Sequence, residues 1–280
     1  MQMPVAAEPK MRYLCSVSMT VPPFRPARLL SFDFDGTLHN PAENPPVSPA
    51  LFALLEELRD THQAAWGINT GRSLEYLLEG LAESRFPSLP DFIIAREREI
   101  FFLASDHTWQ ADEEWNQRCE REIAQLLLDS ADLMNEIRHL VKERTGAEWI
   151  EQPGEPAGII ARTETEMAWI VSQIETRVPP TSALGWQRNS IYLRFGDLAF
   201  QKGSSLARVA HCLGIAPAGI FAIGDSHNDL EMLDHGTAAM IACPANSVPE
   251  ISAHVNAQGG YLCRQSYSAG AVEALRHFFS

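Results

Sequence analysis

Short apolar segments alternate with amphipathic helical patterns from Arg28 onward, and this alternation constrains the fold more than any other feature. The apolar segments are LLSFDF, AAWGINT, FIIA, IFAIGD and AAMIA, at residues 29–34, 64–70, 92–95, 220–225 and 238–242. Residues 47–61 show the helical pattern, with Ser48 as N-cap, Pro49 at the first helical position and leucines at helical spacing. Further helices are expected after Ser73, after Gly203 and from Asn228. This order predicts an α/β fold built on a parallel sheet with crossover helices.

A different pattern occupies the middle of the chain. It contains a charged helical pattern over 112–144, an extended stretch at 157–163, a helix over 164–177 and a strand at 190–195. We therefore expect an α+β unit at 106–195, inserted between two core segments at 27–105 and 196–280. The first 26 residues carry five prolines and no periodic apolar pattern, so they are predicted to form a flexible tail.

Composition argues against several functional classes. The chain has 36 acidic and 22 basic side chains for a net charge of −14, so a basic surface for nucleic acid is not expected. No segment has the 18 or so consecutive apolar residues of a membrane span, so no membrane association is expected. The five cysteines form no Cys-x-x-Cys pair, which argues against a zinc site or a disulfide framework and favours a cytoplasmic location. No protein partner is implied.

Two carboxylates follow the first apolar segment. Asp33 and Asp35 flank Phe34 and precede Gly36, at the point where an extended strand gives way to a turn. Both carboxylates can face one small volume if the backbone bends after the first, and a glycine permits that bend. An ordinary acidic turn at the end of a strand is the alternative interpretation.

Two further segments are suited to an anion. Thr70 and Gly71 close the second apolar segment and precede a helix, whose N-terminal N–H groups and dipole favour negative charge. Thr70 or Ser73 could instead simply cap that helix. Lys202 precedes another helix and is one of only three lysines, beside nineteen arginines, which suggests a compact point charge; a solvated surface lysine is the alternative.

A second carboxylate segment begins at the end of the apolar run IFAIGD. Asp225 and Asp229 are four residues apart, so on a helix they could address a single hard cation through oxygen ligands. Taken together, the segments offer carboxylates for one Mg²⁺, and a hydroxyl, backbone amides and a lysine for a phosphate group.

The segments DFDGTL, INTGRS, QKG and GDSHNDLEML, in this order, resemble the four motifs of the haloacid dehalogenase-like phosphohydrolase superfamily. The position of the insertion, between the second and third motifs, is similar to that of the subclass with an α+β cap. Details resemble the sucrose-phosphate phosphatases and related sugar-phosphate phosphatases. The resemblance implies a Rossmann-like, doubly wound parallel sheet with an inserted α+β cap domain. One departure is AREREIFF, where relatives commonly carry a glycine-containing turn, at the position of Arg96 to Arg98.

The resemblance also implies a role for each motif residue. Asp33 would be the nucleophile that forms an aspartyl-phosphate, and Asp35 the general acid and base. The implied phosphate ligands are Thr70, Gly71, Lys202 and, less directly matched, Asn246. The implied Mg²⁺ ligands are the Asp33 carboxylate, the Asp35 carbonyl and Asp225, with Asn228 and Asp229 orienting that site.

Specificity is expected to come from the insertion, because the four motifs contact only phosphate, metal and water. Its tryptophans could stack on a sugar or fill the core of a small cap, and Trp186, Arg188 and Asn189 are the first candidates for substrate contact. Arg72 could add a cation to the site or pair with Glu75 or Glu79 on its own helix.

The sequence thus predicts a Mg²⁺-dependent phosphatase acting on a small phosphorylated metabolite, with a sugar phosphate as the favoured class. A phosphomutase, which returns the phosphoryl group to a second hydroxyl, is the first alternative. A catalytically silent sugar-phosphate sensor on the same fold is the second.

Overall fold

The structure, a computed structural model, describes residues 25–152 and 155–280, so most of the predicted tail lies outside the described residues. The strands are β1 (Arg28–Phe32), β2 (Ala64–Asn69), β3 (Phe92–Ala95), β4 (Glu99–Leu103), β5 (Trp109–Ala111), β6 (Glu148–Ile150), β7 (Gly158–Ile160), β8 (Leu184–Asn189), β9 (Tyr192–Asp197), β10 (Ile220–Ile223), β11 (Met240–Cys243) and β12 (Tyr261–Leu262). The helices are α1 (Pro49–His62), α2 (Leu74–Glu83), α3 (Glu113–Asp129), α4 (Ala131–Arg144), α5 (Glu164–Glu175), α6 (Lys202–Leu213), α7 (Pro249–Ala257) and α8 (Tyr267–Phe279). Among these helices of the described chain, none combines the length and apolar character needed to cross a membrane.

The larger sheet has eight strands in the order β12-β11-β10-β1-β2-β3-β4-β5. The pairs from β12 to β3 are parallel, and β4 and β5 extend the sheet as an antiparallel edge. The predicted α/β fold with a parallel sheet is confirmed. Because the chain moves from β1 to β2 in one direction and later adds β10 on the other side, a crevice opens between the carboxyl ends of β1 and β10.

Helices cover both faces of this sheet. Leu30 and Phe32 of β1 point to the face covered by α1, α2 and α8, while Leu29 points to the face covered by α6 and α7. All three side chains are fully buried. Burial on both faces explains why the strands are almost continuously apolar rather than alternating. The sheet is therefore doubly wound, as expected.

The smaller sheet has four strands in the order β6-β7-β9-β8, and all of its neighbours are antiparallel. Helices α3, α4 and α5 supply Leu126, Ile137 and Ile170 to an apolar core with β7, β8 and β9. This is the inserted α+β unit. The larger sheet includes β5 and so continues to Ala111, past residue 105, because β5 pairs with β4; the smaller sheet runs to Asp197, past residue 195.

Two predicted helices are corrected. The helix expected from Asn228 is wrong: a single 3-10 turn covers His227–Asp229, and turns follow it. Asp234 accepts the Gly236 N–H with its carboxylate, a local bond that competes with helix formation. The helical pattern over 112–144 forms two helices, α3 and α4, which break at Ser130.

Candidate active site

The polar residues of the crevice follow the ends of three neighbouring strands. Phe32 of β1 is in register with both Ile68 of β2 and Ile223 of β10, so these strands end at similar levels. Asp33 follows β1, and its N–H donates to the Ile223 carbonyl at 3.0 Å. Thr70 follows β2, and Asp225 comes two residues after β10. The parallel sheet thus brings together segments that are far apart in sequence.

The turn after β1 depends on Gly36. Its φ is +86°, and a Cβ at this position would lie 2.5 Å from Oδ2 of Asp225. A side chain here would therefore be strained and would also collide with a carboxylate. The next residue, Thr37, donates from Oγ1 to Oδ1 of Asp225 at 2.7 Å. The bend that the DFDGT sequence predicted is present, and it ties the first motif to the fourth.

Three carboxylates, of Asp33, Asp225 and Asp229, form what we call the carboxylate cluster. One oxygen of each lies within 4.8 Å of the others. Lys202 Nζ donates to Oδ1 of Asp33 and to Oδ1 of Asp229, both at 2.6 Å, and this lysine is completely buried. Lys202 is therefore a buried counter-charge rather than a solvated surface lysine.

Burial and mutual repulsion control the protonation of the cluster. Burial raises the pKa of Asp33 well above its ordinary value, although the charge of Lys202 opposes the rise. Burial and the neighbouring charge of Asp229 raise the pKa of Asp225 to about 6. Burial acts to lower the pKa of Lys202, but the charges of Asp229 and Asp33 outweigh it, so the pKa lies above its ordinary value. Burial thus favours protonation of Asp33 and Asp225, although Lys202 lies beside them as a counter-charge.

The donor set of the cluster fits a small hard cation. It offers carboxylate oxygens only, which suits Mg²⁺ rather than a soft metal. Asp229 already uses Oδ1 for Lys202 and Oδ2 for the N–H groups of Asp225 and Ser226, at 2.9 and 3.0 Å. Its oxygens are engaged, so Asp33 and Asp225 are the side chains suited to ligate the metal and Asp229 is suited to orient them.

The carboxylate of Asp35 lies outside this cluster. Its side chain is 44% exposed, and it accepts two hydrogen bonds from Arg72. The guanidinium also lies 4.9 Å from the ring centre of Phe34. His39 Nδ1 is 4.0 Å from the Asp35 carboxylate, and burial lowers the pKa of this imidazole. The pairing of Arg72 with Glu75 or Glu79 that helical spacing allowed is wrong, because the turn after β1 brings Asp35 closer.

The segment after β2 has an internally bonded turn. Thr70 is 1% exposed, and its Oγ1 accepts the Arg72 N–H at 3.2 Å. Ser73 is the N-cap of α2 and accepts the Tyr76 N–H at 3.3 Å. Capping of α2 is thus assigned to Ser73. Thr70 and Gly71 do not cap the helix and lie directly after the carboxyl end of β2.

Two predicted residues support neighbouring loops. Asn246 donates from Nδ2 to the Gly36 carbonyl at 2.7 Å and accepts the Tyr267 N–H at 2.8 Å, so it holds the turn after β1. Its contact with phosphate stays a prediction. Asn228 donates from Nδ2 to Oε1 of Glu97 at 2.7 Å, and its buried Oδ1 has no hydrogen-bond partner among the described residues.

The inserted unit presents one face of its sheet to the crevice. Asn189 Oδ1 accepts from the Ser226 hydroxyl at 3.1 Å, and Arg194 Nη1 approaches the Gly71 carbonyl at 3.5 Å. Gln187 pairs with Arg194 across β8 and β9, so it shares this face. We call Gln187, Asn189 and Arg194 the polar face. Of these three residues, only Asn189 was expected from the sequence; strand alternation at i and i+2 would have identified Gln187.

The other two first candidates for substrate contact, Trp186 and Arg188, are engaged with the inserted unit. Trp186 packs against the apolar core of the inserted unit, as does Trp149. Arg188 donates to the Glu164 carboxylate and to the Ser190 carbonyl. Both tryptophans are partly buried against this core, so part of each ring has the core-filling role that was the alternative to sugar stacking.

Comparisons with known proteins agree with this geometry. The sequence model of one family, haloacid dehalogenase-like hydrolase, matches residues 98–260. A phosphoglycolate phosphatase of Natronomonas pharaonis is 26% identical over 260 residues, covering 88% of this chain and 95% of that one. The sucrose-phosphatase of Synechocystis sp. PCC6803, solved with sucrose and phosphate, is similar in structure with a TM-score of 0.69 at 17% identity, covering 90% of this chain and 98% of that one. A subclass IIB sugar phosphatase gives a TM-score of 0.61 at 15% identity, covering 90% and 98%. At these identities the two structures establish the fold.

Proposed function

The chain belongs to the haloacid dehalogenase-like hydrolases, and from this premise we propose that it is a Mg²⁺-dependent phosphatase that acts on a small sugar phosphate through an aspartyl-phosphate intermediate. The observation that carries the proposal is the placement of Lys202 between Asp33 and Asp229, at the carboxyl ends of the neighbouring strands β1 and β10. Such a site pairs a buried nucleophile with a buried cation, and phosphoryl transfer depends on this kind of electrostatic stabilisation.

Asp33 is the proposed nucleophile. Its carboxylate attacks phosphorus, the bond to the leaving oxygen breaks, and the phosphoryl group is transferred to Asp33. Bound Mg²⁺, held by Asp33, the Asp35 carbonyl and Asp225, would lower the repulsion between carboxylate and phosphate. Lys202 supplies a second positive charge at Asp33 Oδ1, 2.6 Å away. The Thr70 hydroxyl and the Gly71 amide are the proposed donors to the phosphoryl oxygens. Asn246, which holds the turn after β1, is a further proposed phosphate contact.

Asp35 is the proposed proton carrier. It gives a proton to the oxygen of the departing alcohol, and its carboxylate then takes a proton from the water that hydrolyses the aspartyl-phosphate. The side chain is exposed enough to meet a leaving group, and Arg72 fixes its orientation. The retention of this carboxylate supports an enzyme rather than a sensor, because binding phosphate requires no proton transfer.

The substrate proposal rests on the polar face. Gln187, Asn189 and Arg194 offer amides and a guanidinium above the crevice, groups suited to hydroxyls of a sugar. The fold shared with the sucrose-phosphatase supports this class. A second candidate is phosphoglycolate, favoured by the relative at 26% identity and by Arg194, which could pair with a carboxylate.

A panel of phosphate monoesters tests the proposal. We expect stoichiometric release of inorganic phosphate from one or more hexose or disaccharide phosphates, with phosphoglycolate in the same panel. An Asp33→Asn protein is the matched control and should release none. Formation of an isomeric sugar phosphate without free phosphate would indicate the mutase, and binding without turnover would indicate the sensor.

A further inference from the structure

The turn at Arg96–Arg98, between β3 and β4, has an unusual backbone. Arg96 has φ of +48° and Glu97 has φ of +68°, so two consecutive residues with side chains adopt the left-handed region. Glycine or asparagine is the ordinary residue in that region, because a Cβ there is crowded. Glycine would adopt this backbone with less strain than a residue with a long side chain. The presence of a long side chain here therefore suggests that the side chain has a functional role.

Glu97 connects three separate segments of the core. Its N–H donates to the Thr70 carbonyl at 2.8 Å, and its own carbonyl accepts from the Ser205 hydroxyl at 3.0 Å. Its carboxylate accepts from Asn228 Nδ2 at 2.7 Å. A Cβ placed on Gly71 would be 3.5 Å from its Oε1, so the carboxylate lies beside the proposed phosphate site.

The same carboxylate reaches the inserted unit. The side-chain amide of Gln187 is assigned with its nitrogen toward Glu97, because the opposite orientation would place the amide oxygen against the carboxylate. In this orientation the nitrogen donates to both carboxylate oxygens of Glu97. Glu97 is 8% exposed, and a buried carboxylate is costly unless its oxygens are hydrogen bonded. Movement of β8 away from the core would remove one of these donors, so the docked position is favoured.

The two flanking side chains hold a second part of the inserted unit. Arg96 Nη1 and Arg98 Nη2 donate to the carboxylate of Glu155, in the connection between β6 and β7, at 3.0 and 2.7 Å. All three side chains of the Arg96–Arg98 turn therefore contact the insertion, whereas the backbone of Arg96 and Glu97 is bonded to the core.

We infer that Glu97 is a positioning residue that sets how the inserted unit docks over the phosphate site, and thereby determines the affinity for substrates whose leaving group contacts the polar face. The inference rests on the proposed function and deepens it. Glu97 acts through Gln187, because that residue belongs to the polar face and is held by the Glu97 carboxylate. A turn with a purely structural role would tolerate glycine, which suits φ of +68° better than glutamate does.

Substitutions at both ends of this contact test the inference. Glu97→Gly removes the carboxylate and relieves the backbone, so we expect the melting temperature to stay within about 4 °C of wild type. For the best sugar phosphate, Glu97→Gly and Gln187→Glu should each raise KM by about tenfold with a smaller change in kcat, the effect of one hydrogen bond to a charged group. The exchanged pair, Glu97→Gln with Gln187→Glu, keeps one amide facing one carboxylate. It should recover most of the loss of Gln187→Glu alone.

The matched control is Glu273→Gln, which removes a hydrogen-bonded carboxylate on α8, where its partners are Tyr261 and Arg264. It should leave KM unchanged. Hydrogen exchange of the β8 amides gives a readout that needs no turnover, and Glu97→Gly should accelerate it.

The outcomes separate the inference from the proposed function. Wild-type KM in Glu97→Gly, or an exchanged pair no better than Gln187→Glu alone, would overturn the inference while the phosphatase assignment stands. If wild-type protein hydrolyses no phosphate monoester, the proposed function fails. The exchange rates of β8 then decide the docking role alone: faster exchange in Glu97→Gly supports it, and unchanged exchange refutes it.

Discussion

Arg72 donates two hydrogen bonds to the carboxylate of Asp35, from Nε to Oδ2 at 2.7 Å and from Nη2 to Oδ1 at 2.5 Å. The planar guanidinium matches the two carboxylate oxygens, so the pair fixes orientation as well as charge. Arg72, in the segment between β2 and α2, thus holds Asp35, the proposed proton carrier, in position. Each depends on the other for its position at the crevice.

Arg72→Lys keeps a positive charge but loses the two-pronged contact. We expect kcat for a sugar phosphate to fall by about tenfold, a fraction of what general acid catalysis contributes. Hydrolysis of nitrophenyl phosphate should fall less, because nitrophenolate leaves without a proton. Arg118→Lys, in an exposed pair with Glu122, is the control and should change neither rate. Equal losses on the two substrates would show that Arg72 acts on the phosphate instead.

The two aspartates of the DFDGT turn should fail in different ways. Asp33→Asn removes the nucleophile and should abolish transfer from every substrate, because an amide attacks poorly. Asp35→Asn should hardly cleave sugar phosphates, yet with nitrophenyl phosphate it should give a burst of nitrophenol and then stall. Mass spectrometry of that protein should find one added phosphoryl group on Asp33. Wild-type turnover in Asp35→Asn, or a label on another residue, would refute these roles.

Removal of the buried cation should destabilise the fold. Lys202→Met leaves Asp33 and Asp229 buried without their counter-charge, which costs about 3–5 kcal/mol in the free energy of unfolding. Denaturant titration measures this change. Adding Asp229→Asn should recover part of the stability, since one uncompensated charge is removed, while activity stays lost. A Lys202→Met protein as stable as wild type would contradict the electrostatic role.

Metal removal should affect both turnover and stability. Excess EDTA should abolish phosphate release, Mg²⁺ should restore it, and Ca²⁺ should restore it poorly because its larger, looser coordination misplaces the attacking carboxylate. Mg²⁺ at 100 times its Kd should stabilise the fold by about 2.7 kcal/mol, seen as a higher melting temperature. Asp225→Asn should lose that rise, whereas Asp132→Asn, at an exposed position of α4, should keep it. Full activity in EDTA would show that the reaction does not require a metal ion.

The polar face and the core of the inserted unit should respond differently to substitution. Asn189→Ala should raise KM for the best sugar phosphate by several-fold, because it removes an amide that faces the crevice. Trp186→Ala should lower the free energy of unfolding, because it removes a ring that packs against the core of the inserted unit. Trp186→Phe, which keeps most of the packing, should preserve substrate selectivity. Lost selectivity in Trp186→Phe would revive the stacking role.

Local patterns were enough to predict the sheet and the motif residues. Each strand of the crevice is a short apolar run, and the residue or two after it are the polar ones, so Asp33, Thr70 and Asp225 could be placed at one edge before any contact was known. The glycine at position 36 likewise predicted the bend that its φ of +86° shows. These are properties of single segments, and they follow from spacing and backbone conformation.

Partner choice could not be predicted in this way. Helical spacing indicated Glu75 and Glu79 as partners of Arg72. The fold instead brings Asp35 close, and its carboxylate accepts two parallel hydrogen bonds from the guanidinium. The segment after Asp225 resembled a helix start, yet side-chain bonds to its backbone produce turns. The AREREI segment could be recognised only as a departure from the glycine-containing turn of relatives. Nothing in its own sequence indicates which elements will pack against it.

The sequence by itself determined the α/β fold, the inserted α+β unit and the positions of the motif residues for which we propose phosphate chemistry, because periodicity, turn residues and motif spacing are local. Only the tertiary structure decided that Lys202 lies completely buried between two carboxylates, that Glu97 joins the core to the inserted unit, and that Gln187 and Arg194 share the polar face. These relationships join residues from distant parts of the chain. Their energies depend on burial and on which charges meet, and those quantities exist only once the sheets have packed.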